Sequence, residues 1–256
     1  MHAVWKGAIS FGLVNIPISM YSASETRELK FKLLHKKDLS EVRYARICKK
    51  EEIEIPWQEI VKGYEINGRY VIMAEEDFKR AKLKTTRSIE ILDFTDENQI
   101  DPIYYDTPYF LEPQKEAGKA YALLYQALKA SGKVAVGRFA FHNHEHLGII
   151  RVYKDLLILH TLRYQANLKD SKGVKKPKDK ISKIEVQTAI EFIKKLSAPF
   201  HPEKYKDTYI QKVRARMKKK GKGAKIEAPK EKKGVSSKEK DLLSLLKESL
   251  KKKKVA

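Results

Sequence analysis

The sequence predicts a mixed, mainly β fold in which an antiparallel meander packs beside one helix. Two observations predict it, and both lie between Gly118 and Tyr164. Apolar residues there first recur at three- and four-residue spacing, which is typical of one face of a helix. From Val134 the spacing changes to two, which is typical of strands. Because a meander leaves two open edges, we expect the rest of the chain to supply strands that close it.

The elements of this central stretch have clear boundaries. The helix should end at Ser131-Gly132, since glycine commonly follows the last turn of a helix. Its buried face is predicted to contain Ala120, Leu123, Leu124, Ala127 and Leu128. The three strands are predicted over Val134–Phe141, Leu147–Tyr153 and Leu156–Leu162.

The segment before the meander contains several shorter elements. Ala3–Tyr21 is predicted to form two strands that meet near Gly12. Asn67-Gly68 is a type I′ turn signal and predicts a hairpin whose second strand is Arg69–Met73. A short helix over Glu75–Leu83 and a strand over Ser88–Phe94 follow.

Two further strands are predicted to have one basic face each. In Leu29–His35, leucine and phenylalanine alternate with lysine, and Val42–Ile47 repeats the pattern with arginine. Either strand alone would be interpreted as having an ordinary solvated face. Two neighbouring strands with the same charge favour a surface that faces an anion.

Ile100–Pro113 is extended and rich in tyrosine and proline. Its four aromatic side chains could stack on nucleobases or fill a core. Packing is the favoured interpretation, because aromatic residues at strand spacing usually point inward.

The C-terminal part is predicted to be helical and then disordered. A helix over Ser182–Leu196 begins with a capping box, in which Ser182 and Glu185 pair. A second helix covers Glu203–Lys220. Met217–Gly234 is rich in lysine and glycine and should be disordered, whereas Lys238–Leu250 has the pattern of a short helix.

Charge is distributed unevenly along the 256 residues, whose net charge is +21. Residues 212–256 contain 18 Lys and Arg against 5 Asp and Glu, a net charge of +13, and the preceding 211 residues carry +8. The pattern indicates a basic tail on a body that is itself basic. Both should attract a polyanion.

The sequence offers little catalytic apparatus. It has one cysteine, Cys48, so neither an intramolecular disulfide nor a cysteine zinc cage can form. We find no Walker-type phosphate loop, no GxGxxG after a strand, no nucleophile context and no internal repeat. The run from His142 to His146 resembles a metal site or an HNH nuclease signature, but it falls where a hairpin should turn and a strand follows it. A binding protein without cofactor or metal is therefore predicted.

No apolar run approaches the length of a membrane span, so we expect a soluble protein without membrane contact. Asn15 and Pro17 interrupt the only stretch that resembles a signal peptide. A cytoplasmic, nucleoid-associated protein is expected.

Long segments of the chain together resemble the prokaryotic Ku family. They include AVWKGAISFGLVNIPISMYSA, EIVKGYEINGRYVIM, QIDPIYYDTPYFLEP and LILHTLRY, in this order. The resemblance runs from about Ala3 to Tyr164 and continues to the helix near Phe192. One departure is the stretch ICKKEEIEIP, which lacks the second cysteine that many members carry after the position of Cys48.

The resemblance implies a Ku-type antiparallel β-barrel with an extended bridging arm, followed by C-terminal helices and a disordered Lys-rich tail. It implies a core over 1–180, a dimer-packing helical arm over 181–220, and a basic tail with a short terminal helix over 221–256. Arg27–Trp57 would belong to the bridge. The expected protein is a non-catalytic homodimeric ring that threads onto double-stranded DNA ends, bridges them, and recruits the multifunctional bacterial repair ligase in non-homologous end joining.

Candidate phosphate contacts follow from this resemblance and from the positions of the cations. Such a ring should bind phosphates without reading bases. In the arm the candidates are Lys30, Lys32, Lys36, Lys37, Arg43, Arg46, Lys49 and Lys50. In the tail they are Lys218, Lys219, Lys220, Lys251, Lys252, Lys253 and Lys254. About half of all these candidates should touch DNA.

Two alternatives remain open from the residues alone. One is a metal-dependent DNA-processing enzyme of the HNH type, and the other is a nonspecific DNA-coating protein.

Overall fold

A computed structural model describes residues 1–25, 29–81, 87–142 and 144–221. The chain divides into two compact units, Met1–Asp170 and Ser171–Ala256. The sequence-based division at residues 180 and 220 stays a prediction. Among the described residues, none of the helices is both long enough and apolar enough to cross a membrane.

Seven strands of the first unit close into a barrel, which confirms the predicted fold class. Their order around the barrel is β1-β2-β6-β9-β8-β7-β5, and every neighbouring pair is antiparallel except β1 and β5. The strands are β1 Trp5–Phe11, β2 Val14–Ser22, β5 Ser88–Asp96, β6 Tyr105–Pro113, β7 Lys133–Phe141, β8 His144–Tyr153 and β9 Leu156–Leu162. The edges of the meander β7-β8-β9 are covered by β5 and β6, and the N-terminal hairpin of β1 and β2 joins those two strands and completes the barrel.

The parallel pair of β1 and β5 closes the barrel. Ile9 lies opposite Ile89, and the Ala8 N–H donates a hydrogen bond of 2.9 Å to the carbonyl oxygen of Arg87. At Gly7 a Cβ atom would lie 2.2 Å from that same oxygen. The two backbone segments can therefore approach this closely only because Gly7 has no side chain.

All seven strands contribute to one apolar core inside the barrel. Ile9, Met20, Ile89, Leu111 and Leu159 are among its fully buried side chains. A smaller cluster of Val134, Ile149 and Leu162 is separate from it, with Ile100, Tyr104 and Tyr105 packed against it. Burial on both faces explains why β9 begins with four consecutive apolar residues, Leu156–Leu159, rather than with an alternating pattern.

The helix α2 spans Gly118–Ser131, as predicted, and packs into the barrel core. It ends where Gly132 adopts a positive φ of 66° and its N–H donates to the Leu128 carbonyl at 3.0 Å. Its buried face was only partly predicted. Tyr121, Leu124 and Leu128 are buried, whereas Ala127 is exposed and Leu123 is 67% exposed, because the true stripe follows the spacing i, i+3, i+7.

The segment between β2 and β5 contains a hairpin and a short helix. The strands β3 (Lys62–Ile66) and β4 (Arg69–Met73) are joined by Asn67 and Gly68, with φ values of 51° and 77°. These values confirm the predicted type I′ turn. Helix α1 spans Glu75–Ala81, and the remainder of the predicted helix lies outside the described residues.

The two predicted basic strands are wrong. Leu29–His35 and Val42–Ile47 form no strand, and only two isolated bridges occur there, Leu34 with Glu41 and Ile47 with Glu54. Alternation makes a strand only where a neighbouring strand accepts its hydrogen bonds and buries one face. Here Phe31 is 66% exposed and Leu33 is 55% exposed, so neither condition is met.

The second unit contains two described helices. Helix α3 spans Lys183–Leu196 and its predicted capping box is confirmed, because Ser182 and Glu185 exchange hydrogen bonds of 2.8 and 3.3 Å. Hydrogen bonding from Ser182, first through its side chain and then through its backbone N–H, lowers the pKa of the Glu185 carboxyl. Helix α4 spans Thr208–Gly221 and starts later than predicted, because Asp207 accepts from the first backbone N–H groups.

The predicted disorder from Met217 is wrong for its first residues, which belong to α4. Lysine is a good helix former, and cations in the last turn interact favourably with the helix dipole. The remaining predicted tail, including the short helix over Lys238–Leu250, lies outside the described residues.

We predict that Tyr121→Phe destabilises the barrel. The buried Tyr121 hydroxyl donates to the Leu111 carbonyl at 2.7 Å and accepts from the Leu157 N–H at 2.7 Å, and burial raises its pKa. Its loss leaves two backbone groups without a partner, so the free energy of unfolding in urea should fall by about 1–3 kcal/mol. Tyr125→Phe is the control, because that hydroxyl bonds Lys154 at the surface and should change the value by less. An equal loss in both variants would contradict the assigned role.

Candidate nucleic-acid interface

The chain leaves the barrel after β2 and returns at β5, and we call residues 23–87 the arm. No described side chain between residues 29 and 80 is buried. Large apolar residues are exposed throughout, including Leu39 at 69% and Tyr44 at 91%. Apart from the β3–β4 ladder, local hydrogen bonds hold the described arm in shape. Exposed apolar surface of this extent indicates a site of association.

Within the arm, two loops have the same backbone hydrogen bonds at an offset of 13 residues. In the first loop, residues 33–42, Val42 donates to Leu33 at 2.9 Å; in the second, residues 46–55, Ile55 donates to Arg46 at 2.8 Å. The turns match as well. The N–H groups of Leu39 and Glu52 each donate a hydrogen bond of 2.8 Å to the carbonyl oxygen of the residue four positions earlier. Both residues have a positive φ.

This repeat corrects the sequence analysis, which found none. The two loops read LLHKKDLSEV and RICKKEEIEI, so the paired lysines and one glutamate recur in register. The shared KK followed by an acidic residue is the signal that would have revealed it. The likeness is short and is carried by charge rather than by apolar residues, which were the pattern that the search followed.

The tips of the loops present two lysine dyads, Lys36-Lys37 and Lys49-Lys50. All four side chains are exposed. Within the described part of the chain they form no ion pair, and neither does Lys30. Their ammonium groups are therefore available to phosphate oxygens.

The other three arm candidates already have partners. Lys32 forms an ion pair with Glu41, and Arg43 contacts Glu54 at 3.5 Å between Nη2 and Oε2. The Arg46 guanidinium lies 4.6 Å from the centroid of the Trp57 ring, which is a cation–π contact. The structure thus separates the eight arm cations into unpaired and paired groups, which the sequence alone did not.

The tail candidates divide between described and undescribed residues. Lys218, Lys219 and Lys220 form the exposed last turn of α4. Lys251, Lys252, Lys253 and Lys254 lie outside the described residues.

The aromatic residues of Ile100–Pro113 pack against the barrel, as predicted. Tyr109 meets Phe141 edge-on at 5.8 Å, and Phe110 stacks on Tyr153 at 6.2 Å. Tyr105 meets His160 at 5.4 Å, and burial raises the pKa of Tyr105 and lowers that of His160.

The histidine run is placed differently from the prediction. The turn is tighter than expected, since His144 and His146 already belong to β8, opposite Phe141 and Phe139. His146 contacts the Phe141 carbonyl at 3.2 Å through Nε2. Among the described residues, no three His, Cys, Asp or Glu side chains are grouped so that they could hold a metal.

Comparison with known proteins identifies the barrel. A family model described as the Ku70/Ku80 beta-barrel domain matches residues 10–188. The chain is 39% identical over 221 residues to a protein of Bacillus subtilis named "Non-homologous end joining protein Ku", covering 85% of this chain and 71% of that protein. Proteins of the same name from Desulfitobacterium hafniense and Pseudomonas aeruginosa are 41% and 35% identical, covering 87% and 95% of this chain and 79% and 85% of the relatives.

Proposed function

The chain belongs to the Ku family of non-homologous end joining proteins, and on that premise we propose that it binds the ends of broken double-stranded DNA without catalysing a reaction. The observation that carries the proposal is the arm, whose two repeated loops present unpaired lysine dyads to solvent. A net charge of +21 adds a long-range attraction to DNA.

The proposed mode of binding is contact with phosphates rather than with base edges. Lysine dyads at loop tips supply point charges without the bidentate geometry that reads a base. Affinity should therefore be independent of sequence and steeply dependent on salt. If six to ten phosphates are engaged, affinity falls roughly 10³- to 10⁵-fold between about 50 and 200 mM salt.

We propose that two chains form the DNA-encircling ring. The exposed apolar residues of the arm need a covering surface, and a second copy supplies one with the same pattern. The family resemblance supports the same arrangement, and it also supports recruitment of the multifunctional bacterial repair ligase at DNA ends in the nucleoid. Co-sedimentation of that ligase with the full chain is the measurement for this last part.

Threading through a ring predicts dependence on free ends. The full chain should bind linear duplex DNA much more tightly than closed circular DNA of the same length, and ligation of the linear DNA after loading should trap it. Filter binding with both substrates measures this. Equal binding to both would favour a DNA-coating protein, and magnesium-dependent nicking of either would favour the HNH-type enzyme.

The lysine dyads should account for part of the salt dependence. In a variant with Lys36, Lys37, Lys49 and Lys50 all changed to glutamine, the slope of log affinity against log salt should fall in magnitude by about 2–4, since each phosphate contact contributes about 0.9. Fluorescence anisotropy across a salt series measures the slope. The matched control changes four exposed lysines of the first unit that lie outside the arm, Lys115, Lys119, Lys129 and Lys154, to glutamine. An equal effect of both sets would contradict specific contacts at the loop tips.

Replacing exposed apolar residues of the arm by polar ones should weaken dimerisation. Phe31 and Ile53 are 66% and 57% exposed, so changing both to glutamine removes no core contact within the chain. Burying the exposed part of each side chain contributes about 1–2 kcal/mol, and a dimer contains four of them, so the dimer dissociation constant should rise about 10³- to 10⁶-fold. Sedimentation equilibrium measures it, with Leu123→Gln on α2, 67% exposed, as the control outside the arm. An unchanged dissociation constant would place the dimer contact elsewhere.

A further inference from the structure

Two carboxylates occupy equivalent positions in the repeated loops of the arm. Glu41 and Glu54 are 13 residues apart, and each forms the isolated bridge at the base of its loop, Glu41 with Leu34 and Glu54 with Ile47. The hydrogen bonds that close the two loops come from the next residues, Val42 and Ile55. The backbone therefore fixes both glutamates at the same place in each loop.

Each of these carboxylates is paired with an arm cation. Glu41 pairs with Lys32 and Glu54 contacts Arg43 at 3.5 Å, although the two cations are not equivalent in the repeat. All four side chains are more than half exposed, at 72% and 64% for the first pair and 85% and 55% for the second. Exposed ion pairs of this kind contribute little to stability, so the barrel does not depend on them.

The pairs matter more for binding a polyanion. A phosphate oxygen and a carboxylate oxygen compete for the same ammonium or guanidinium donors. A cation that is paired with a carboxylate attracts a DNA phosphate less strongly. The two opposite charges of the ion pair largely cancel as the phosphate approaches. The unpaired dyads at the loop tips carry no such restraint.

We propose that Glu41 and Glu54 act as internal competitors that hold Lys32 and Arg43 away from the DNA backbone and so limit the affinity of the arm. This inference rests on the proposed DNA binding. A duplex inside the ring can then break a phosphate contact at a small cost in free energy, because Lys32 or Arg43 pairs again with its carboxylate when the phosphate leaves. The arm thereby combines four lysines at the loop tips that can bind phosphate directly with two cations near the loop bases that are held by carboxylates.

The test replaces each carboxylate by its neutral isostere in the full chain. Glu41→Gln and Glu54→Gln should each free one cation per chain, which is two in the dimeric ring, so the salt slope should increase in magnitude by up to about 1.8, and affinity for linear duplex should rise by up to about thirtyfold near 0.15 M salt. Glu51→Gln is the matched control. Glu51 lies in the tip of the second loop and, within the described part of the chain, forms no ion pair, so it removes the same charge without freeing a cation.

A double-mutant cycle locates the effect. In a Lys32→Met background, Glu41→Gln should raise affinity no more than Glu51→Gln does, because no cation remains to be freed. Equal slopes for Glu41→Gln, Glu54→Gln and Glu51→Gln would overturn this inference and leave the proposed function intact. Failure of the unchanged chain to bind linear DNA would overturn the proposed function and the inference with it. Unchanged thermal denaturation of each variant confirms that folding is not the cause.

Discussion

Closure of the barrel is the constraint on which the described first unit depends. The pairing of β1 with β5 leaves no open edge, so every strand of the barrel has two neighbours and the interior can be sealed from water. That closure places the carbonyl oxygen of Arg87 in the space that a side chain at position 7 would occupy, so position 7 must be glycine. It also joins the first strand of the chain to the strand that follows the arm. Both ends of the arm are consequently attached to the same closed sheet.

The arm is stabilised by different interactions from those of the barrel. The barrel buries aliphatic residues from all seven strands, whereas the described arm buries none and exposes aromatic and aliphatic side chains beside many charges. A segment of this kind gains little from its own packing, so its stability must come from local hydrogen bonds and from what it binds. A second copy of the chain and a DNA duplex would cover its apolar and its basic surface respectively.

The charges of the arm are organised by the repeat rather than by strand alternation. Within the described residues the dyads at the tips form no ion pair, whereas glutamates at the bases pair with neighbouring cations. Net charge alone would treat all eight arm cations as equal. If the arm binds DNA as proposed, this difference in pairing would give it phosphate contacts of different strength.

The sequence by itself determined most of the barrel and the hairpin of the arm, because the change from helical to alternating spacing near Val134 and the turn at Asn67-Gly68 are local signals. The family likewise followed from long segments in order. Local pattern failed for Leu29–His35 and Val42–Ile47, since a strand exists only if another part of the chain pairs with it, and for Leu123, whose burial depends on where the barrel lies. Which cations stay free was also beyond the sequence. Lys32 and Lys36 look alike in a list of residues, and only the folded loop, which brings Glu41 back beside Lys32, makes them different.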